Sequence, residues 1–146
     1  MTSSGSPTLQ DRQEYWIAFN DYAFANTTFA KSFNRRKAST DHWMTLSVGS
    51  STYHINLLQL RKDKNIAVEW NITDDKELYK LLLSHKAEIE TSMGMKLDWR
   101  ELPEKKASRI LITHPAEYDN KDKWSEQFEW AMDVAMKMKK AFKKYL

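Results

Sequence analysis

The hydrophobic period switches between two values along this chain, and the order of the switches limits the folds open to it. Tyr15, Phe19, Tyr22, Phe29 and Phe33 recur every three or four positions, with Trp16, Ala23 and Ala30 alongside. That spacing lays a wide aromatic stripe on one side of a helix. The helix is expected to open at Thr8, after Pro7, with Asp11 in its first turn, where a carboxylate suits the positive end of the helix dipole. Asn26-Thr27-Thr28 are poor helix formers and are expected to divide it. Arg35-Arg36-Lys37 follow at its far end, where cations complement the dipole. The period then becomes 2, and residues 42–48, 52–60 and 65–72 read as strands. Gly49-Ser50-Ser51 and Lys62-Asp63-Lys64 are turns too short for anything but antiparallel neighbours.

The helical period returns at Asp74, whose side chain can cap while Glu77 answers three residues later. Leu78, Leu81, Leu82, His85 and Ile89 form the expected inner stripe, and Gly94 is a natural stop. Residues 96–102 and 108–114 read as two more strands, joined through Pro103. The last helix carries Trp124, Phe128, Ala131, Ala135, Met138, Phe142 and Tyr145 on one side and Glu126, Glu129, Asp133, Lys137, Lys140 and Lys144 on the other. The order α-β-β-β-α-β-β-α predicts an α+β domain, with helices packed on a mainly antiparallel five-stranded sheet. Residues 1–7 are small and polar and read as a disordered tail, which leaves residues 8–146 as a single domain.

Composition narrows the function classes. The chain has no cysteine, which removes disulfides, thiol nucleophiles and thiolate metal sites. A net charge of +3 is too small to imply nucleic acid by itself. No apolar stretch is long enough for a membrane span and the first residues lack a secretory h-region, so a cytoplasmic location is expected. The four histidines, His42, His54, His85 and His114, form no metal-ligand spacing. There is no glycine-rich phosphate loop and no nucleophile signature, so neither metal nor cofactor is expected.

The candidate site comes from strand parity. If Ile66, Val68, Trp70 and Ile72 face the core, Glu69 and Asn71 emerge on the opposite face, joined by Trp43, Thr45, His54 and Asn56 where register allows. A face of this composition suits a ligand, a base or a peptide, unless it is solvated or covered by the first helix. Arg100 and Arg109 on neighbouring strand segments form a candidate anion-binding pair, with salt bridges to Asp98 or Glu101 as the competing outcome. Glu88 and Glu90 point to different sides of their helix and cannot act as a catalytic pair; Glu90 is placed to meet Lys86. His85 reads as a partly buried, hydrogen-bonded core residue, and the lysines ending the last helix as dipole partners. Of the six tryptophans, Trp16, Trp70, Trp99 and Trp124 suit burial. Any recognition role therefore falls to Trp43, with Trp130 second.

Several segments in order resemble a known family: Arg12-Gln13-Glu14-Tyr15-Trp16 with Phe19, His42-Trp43, Ser47-Val48-Gly49, and Val68-Glu69. Lys86-Ala87-Glu88-Ile89-Glu90, Gly94, Leu97-Asp98-Trp99, Ser108-Arg109-Ile110 and the tryptophan-rich last helix continue the set. Together they resemble the bacterial and archaeal domain-of-unknown-function family 4268, from about Arg12 to the C-terminus. Members of that family stand alone or end longer proteins, some with nuclease-like N-terminal domains, and this chain resembles the stand-alone form. The resemblance implies a link to defence or nucleic-acid systems and supplies no catalytic residues.

The element order is also similar to that of restriction-endonuclease-like nucleases, which need an acid on the second core strand and Glu-x-Lys on the third. Here the third strand offers Glu69-Trp70-Asn71 and residues 52–60 carry no acid. The expectation is a non-catalytic interaction or regulatory domain that binds a protein or nucleic acid through the mixed sheet face. The alternatives are a degenerate or cryptic hydrolase around His54 and Glu69, and a structural homo-oligomer such as a homodimer that buries exposed aromatics against a copy.

Overall fold

A computed structural model describes residues 8–146; the expected disordered tail lies outside the described residues. Helix α1 (Leu9–Ala23) opens on a capping box: Asp11 N–H donates to Thr8 Oγ1 at 3.0 Å and Thr8 N–H donates to Asp11 Oδ2 at 2.9 Å. The chain breaks after α1 and restarts as α2 (Thr27–Ser32), with Asn26 as its cap. The expected division is present but lies at residues 24–26, and Thr27 and Thr28 open α2 rather than break the helix. Arg35-Arg36-Lys37 do not serve the α2 dipole, because the helix ends at Ser32 and the chain runs on in non-helical form. Asn20 and Gln13 of α1 instead bind the carbonyls of Arg36 (2.7 Å) and Ala38 (3.2 Å), and Arg35 pairs with Asp21.

Strands β1 (Trp43–Leu46), β2 (Tyr53–Leu60), β3 (Asn65–Ile72), β4 (Asp98–Arg100) and β5 (Ser108–Pro115) make one antiparallel sheet in the order β1-β2-β3-β5-β4. The two edge strands are shorter than expected. At β4 the reason is visible: Leu97 N–H is drawn to Glu90 Oε2 (2.8 Å), and the carbonyls of Glu101 and Leu102 turn to Lys76 Nζ. Glu90 therefore anchors the entry to β4, accepting also from Trp99 Nε1 (3.1 Å), rather than forming an ion pair with Lys86.

Helices α3 (Lys76–Ser84) and α4 (Lys86–Met93) bend apart at His85, and α5 (Trp124–Lys143) crosses the same face of the sheet. The α3 cap is Asp75, not Asp74, with Leu78 N–H donating to Asp75 Oδ1 at 3.0 Å. Tyr79 and Leu82 face inward while Leu81 is exposed, because the bend at His85 resets the stripe that continues through Ile89 and Met93. His85 is partly buried and hydrogen-bonded as expected, 2.9 Å from Glu88, but it sits at the bend and stacks on Tyr145 rather than pointing into the core. Gly94 closes α4 in the left-handed conformation, φ +72°, which glycine adopts without Cβ strain.

One core lies between the helices and one face of the sheet. Trp16, Phe19, Phe29, Phe128 and Phe142 meet Leu46, Ile55, Leu57, Val68, Trp70 and Ile110 there, all almost fully buried. Gln127 of α5 is buried among them, accepting from Tyr15 Oη (2.7 Å) and donating to the Glu117 carbonyl (2.9 Å). At the other end of α5, Lys139 donates to the Ser32 carbonyl and lies over the Phe33 ring, and Lys137 pairs with Asp133. Trp130 stacks on His114 at 4.8 Å. No helix among the described residues is long and apolar enough to cross a membrane.

Candidate functional site

Register decides what the second face of the sheet carries. Trp43 pairs with Leu58, Thr45 with Asn56, Asn56 with Glu69, His54 with Asn71, Asn71 with Arg109, and Arg109 with Arg100. Because directly paired residues share a face, all six candidates and both arginines stand on one side, opposite the core. Leu58, Ala67 and Leu111 share that side; they are buried yet lie outside the core cluster. Every buried apolar residue of the helices belongs to the core on the other side, so α1 does not cover this face.

Alternation alone makes this face look polar and solvated, but its centre is closed. Glu69 is only 2% exposed, and three donors engage both of its oxygens. Asn56 Nδ2 (3.0 Å) and Asn71 Nδ2 (3.3 Å) donate to Oε2, and the Arg109 Nε–H donates to Oε1. Thr45 Oγ1 donates to Asn56 Oδ1 at 2.8 Å, extending the chain of polar contacts across β1, β2, β3 and β5. A buried carboxylate is stable only with such partners, because isolated charge in low dielectric is costly. Arg100 pairs with Asp98 at 2.7 Å. The two arginines are register neighbours, and each guanidinium holds a carboxylate, which is the salt-bridge outcome set against an anion-binding pair.

What remains open is a shallow depression of about 250 Å³, lined by His42, Trp43, Asn56, Leu58, Glu69 and Arg109. Trp43 is 41% exposed, with the His42 ring edge-on at 5.0 Å. His42 and Leu58 were not singled out from sequence. Leu58 becomes visible only when register sets it opposite Trp43, whereas His42 adjoins Trp43 in the chain. Among the described residues no group of three or more His, Asp or Glu side chains lies close enough to hold a metal ion together.

Burial pushes the imidazoles of His42 and His54 below the ordinary value of 6.5. Around His54, Glu69 opposes that shift and Arg36 adds to it; around His42, Arg12 and Arg109 add to it while Asp41 and Glu69 oppose it. Below pH 6.5 the unfolded chain takes up protons that the folded sheet resists, so stability is full above this value and falls as pH drops toward the lowered folded values. The melting temperature is expected to fall between pH 7.5 and 5.5, and a His42→Gln/His54→Gln variant to show a shallower fall. Equal slopes would contradict the assigned burial effect.

Residues 11–146, nearly the whole chain, match the family described as Domain of unknown function (DUF4268). The chain belongs to that family. No curated protein and no solved structure matches it. For this DUF4268 member, then, the site rests on the geometry of the sheet face.

Proposed function

We propose that this DUF4268 chain is a non-catalytic binding domain of the prokaryotic cytoplasm, which takes a segment of another protein on the helix-free face of its sheet. One observation carries the reading. The charged groups of this face satisfy one another, while Trp43 stands exposed at the rim of the depression. Against a hydrolytic role for Glu69 stand its burial and its partners: Arg109, Asn56 and Asn71 together engage both carboxylate oxygens. A phosphate backbone needs uncompensated cations, and here Asp98 and Glu69 offset Arg100 and Arg109. An aromatic anchor beside paired charges is the usual anatomy of a protein-binding patch.

A nucleic-acid ligand is the second reading, favoured by Trp43 as a stacking platform and by Arg36, which lies near His54. Binding of DNA and RNA oligonucleotides at two salt concentrations separates the readings. The protein-segment reading expects no salt-sensitive binding; affinity that falls steeply with salt would replace it with the second. Sedimentation at rising concentration tests whether the segment comes from a second copy. A monomer is expected, and a dimer abolished by Trp43→Ser would identify the homodimer as the assembly.

A further inference from the structure

A second groove, of about 520 Å³, lies between α1 and residues 34–38 and shares no lining residue with the Trp43 depression. Its floor includes Ile17, which is 48% exposed. Arg35, Arg36 and Lys37 border it; Arg35 is paired with Asp21, whereas Arg36 and Lys37 meet no acidic side chain among the described residues. Asn20 lines the groove and is 2% exposed; its Nδ2 donates to the Arg36 carbonyl, and its Oδ1 has no donor. An unpaired buried acceptor costs about 1–3 kcal/mol, so such groups are almost always satisfied. Finally, residues 34–41 form no backbone–backbone hydrogen bond among the described residues; side chains of α1 take the carbonyls of Arg36, Ala38 and Asp41, and the other main-chain groups of residues 34–38 are open to a partner.

We infer that this groove binds an acidic, extended peptide segment. The ligand must supply a hydrogen-bond donor to Asn20 Oδ1, negative charge to Arg36 and Lys37, and apolar surface to Ile17. A peptide with alternating acidic and apolar residues supplies all three, its backbone N–H being the donor. Inorganic phosphate and carboxylate ions supply only the charge and offer Asn20 another acceptor. The peptide main chain also finds open partners along residues 34–38. The groove is separate from the sheet-face depression, so the inference stands whether or not that face is the binding surface.

The test is fluorescence anisotropy with a labelled peptide of alternating Glu and Leu, alongside a peptide with Leu replaced by Ser and a single-stranded oligonucleotide. The intact chain is expected to bind the Glu/Leu peptide at low salt and at least tenfold more tightly than the Glu/Ser peptide or the oligonucleotide. An Arg36→Glu/Lys37→Glu variant, which alters only exposed side chains, is expected to lose at least tenfold in affinity, and Trp43→Ser is expected to change nothing. In two-dimensional NMR the Asn20 side-chain amide and the Ile17 methyl groups are expected to shift on titration. No binding of the Glu/Leu peptide, equal binding of the Glu/Ser peptide, tighter binding of the oligonucleotide, or full affinity in the charge-reversed variant would overturn the inference.

Discussion

Replacing Glu69 with alanine is expected to lower the unfolding free energy by about 3–5 kcal/mol, the usual cost of removing one partner from a buried ion pair. The substitution leaves Arg109 without its carboxylate and strips Asn56 and Asn71 of the acceptor they share. Asn56 is itself buried and retains only Thr45. Glu69→Gln keeps the shape but sets an amide N–H2 against the donors, so it is expected to lose about 2–3 kcal/mol. Glu69→Leu/Arg109→Met removes both charges together and is expected to recover only part of the loss, since the ion pair is replaced by apolar contact but Asn56 and Asn71 still lack their acceptor. Urea unfolding of the four proteins measures this directly. A loss under about 1 kcal/mol for Glu69→Ala would mean that water replaces the missing partner, and that the centre of the face is open.

Lys76→Met is expected to cost about 2–4 kcal/mol, because hydrogen bonds to a charged group contribute more than neutral ones. The Lys76 ammonium donates to the carbonyls of Glu101, Leu102 (3.0 Å) and Ala107 (2.9 Å), and Ser108 Oγ lies 3.0 Å away. One side chain from α3 thus ties both ends of the β4–β5 connection. Leu102 sits at φ +54°, a conformation that costs a residue with a Cβ about 1–2 kcal/mol. The tether holds that strain in place. Leu102→Gly in the native background is therefore expected to be neutral or stabilising. Hydrogen exchange at Lys105 N–H, which donates to the Leu102 carbonyl at 2.9 Å, is expected to quicken in Lys76→Met while the β2–β3 amides stay protected. Unchanged exchange would show that the loop holds without the ammonium.

Neither of these sites could be read whole from the sequence. Strand parity put Glu69 and Asn71 opposite Trp70, because period 2 is a local property of the backbone. It could not show that Asn56 and Arg109 converge on Glu69, since register depends on turn geometry and on pairing between β3 and β5, which lie far apart in the chain. For the same reason Arg100 and Arg109 stood as a candidate anion site: their adjacency and Asp98 were legible, the pairing of Arg109 with Glu69 was not. Lys76 had no signal at all, because its acceptors are backbone carbonyls that every sequence possesses. The core fared better. Trp16, Trp70 and Trp124 follow stripes set by local period, and all three are buried. Leu81 left the expected inner stripe where one long helix became two, a bend to which the stripe gave no clue.

Ligands of this DUF4268 domain are proposed to dock on the helix-free sheet face, beside Trp43. Peptides selected from a display library against the intact chain, then titrated into it under two-dimensional NMR, test this most directly. At least one selected peptide class is expected to shift the Trp43 indole N–H and the Asn56 and Asn71 side-chain amides together, and Trp43→Ser to weaken this class at least tenfold without lowering the melting temperature. Failure of every selected class to move those three signals, or undiminished binding to Trp43→Ser by the class that does move them, would contradict it.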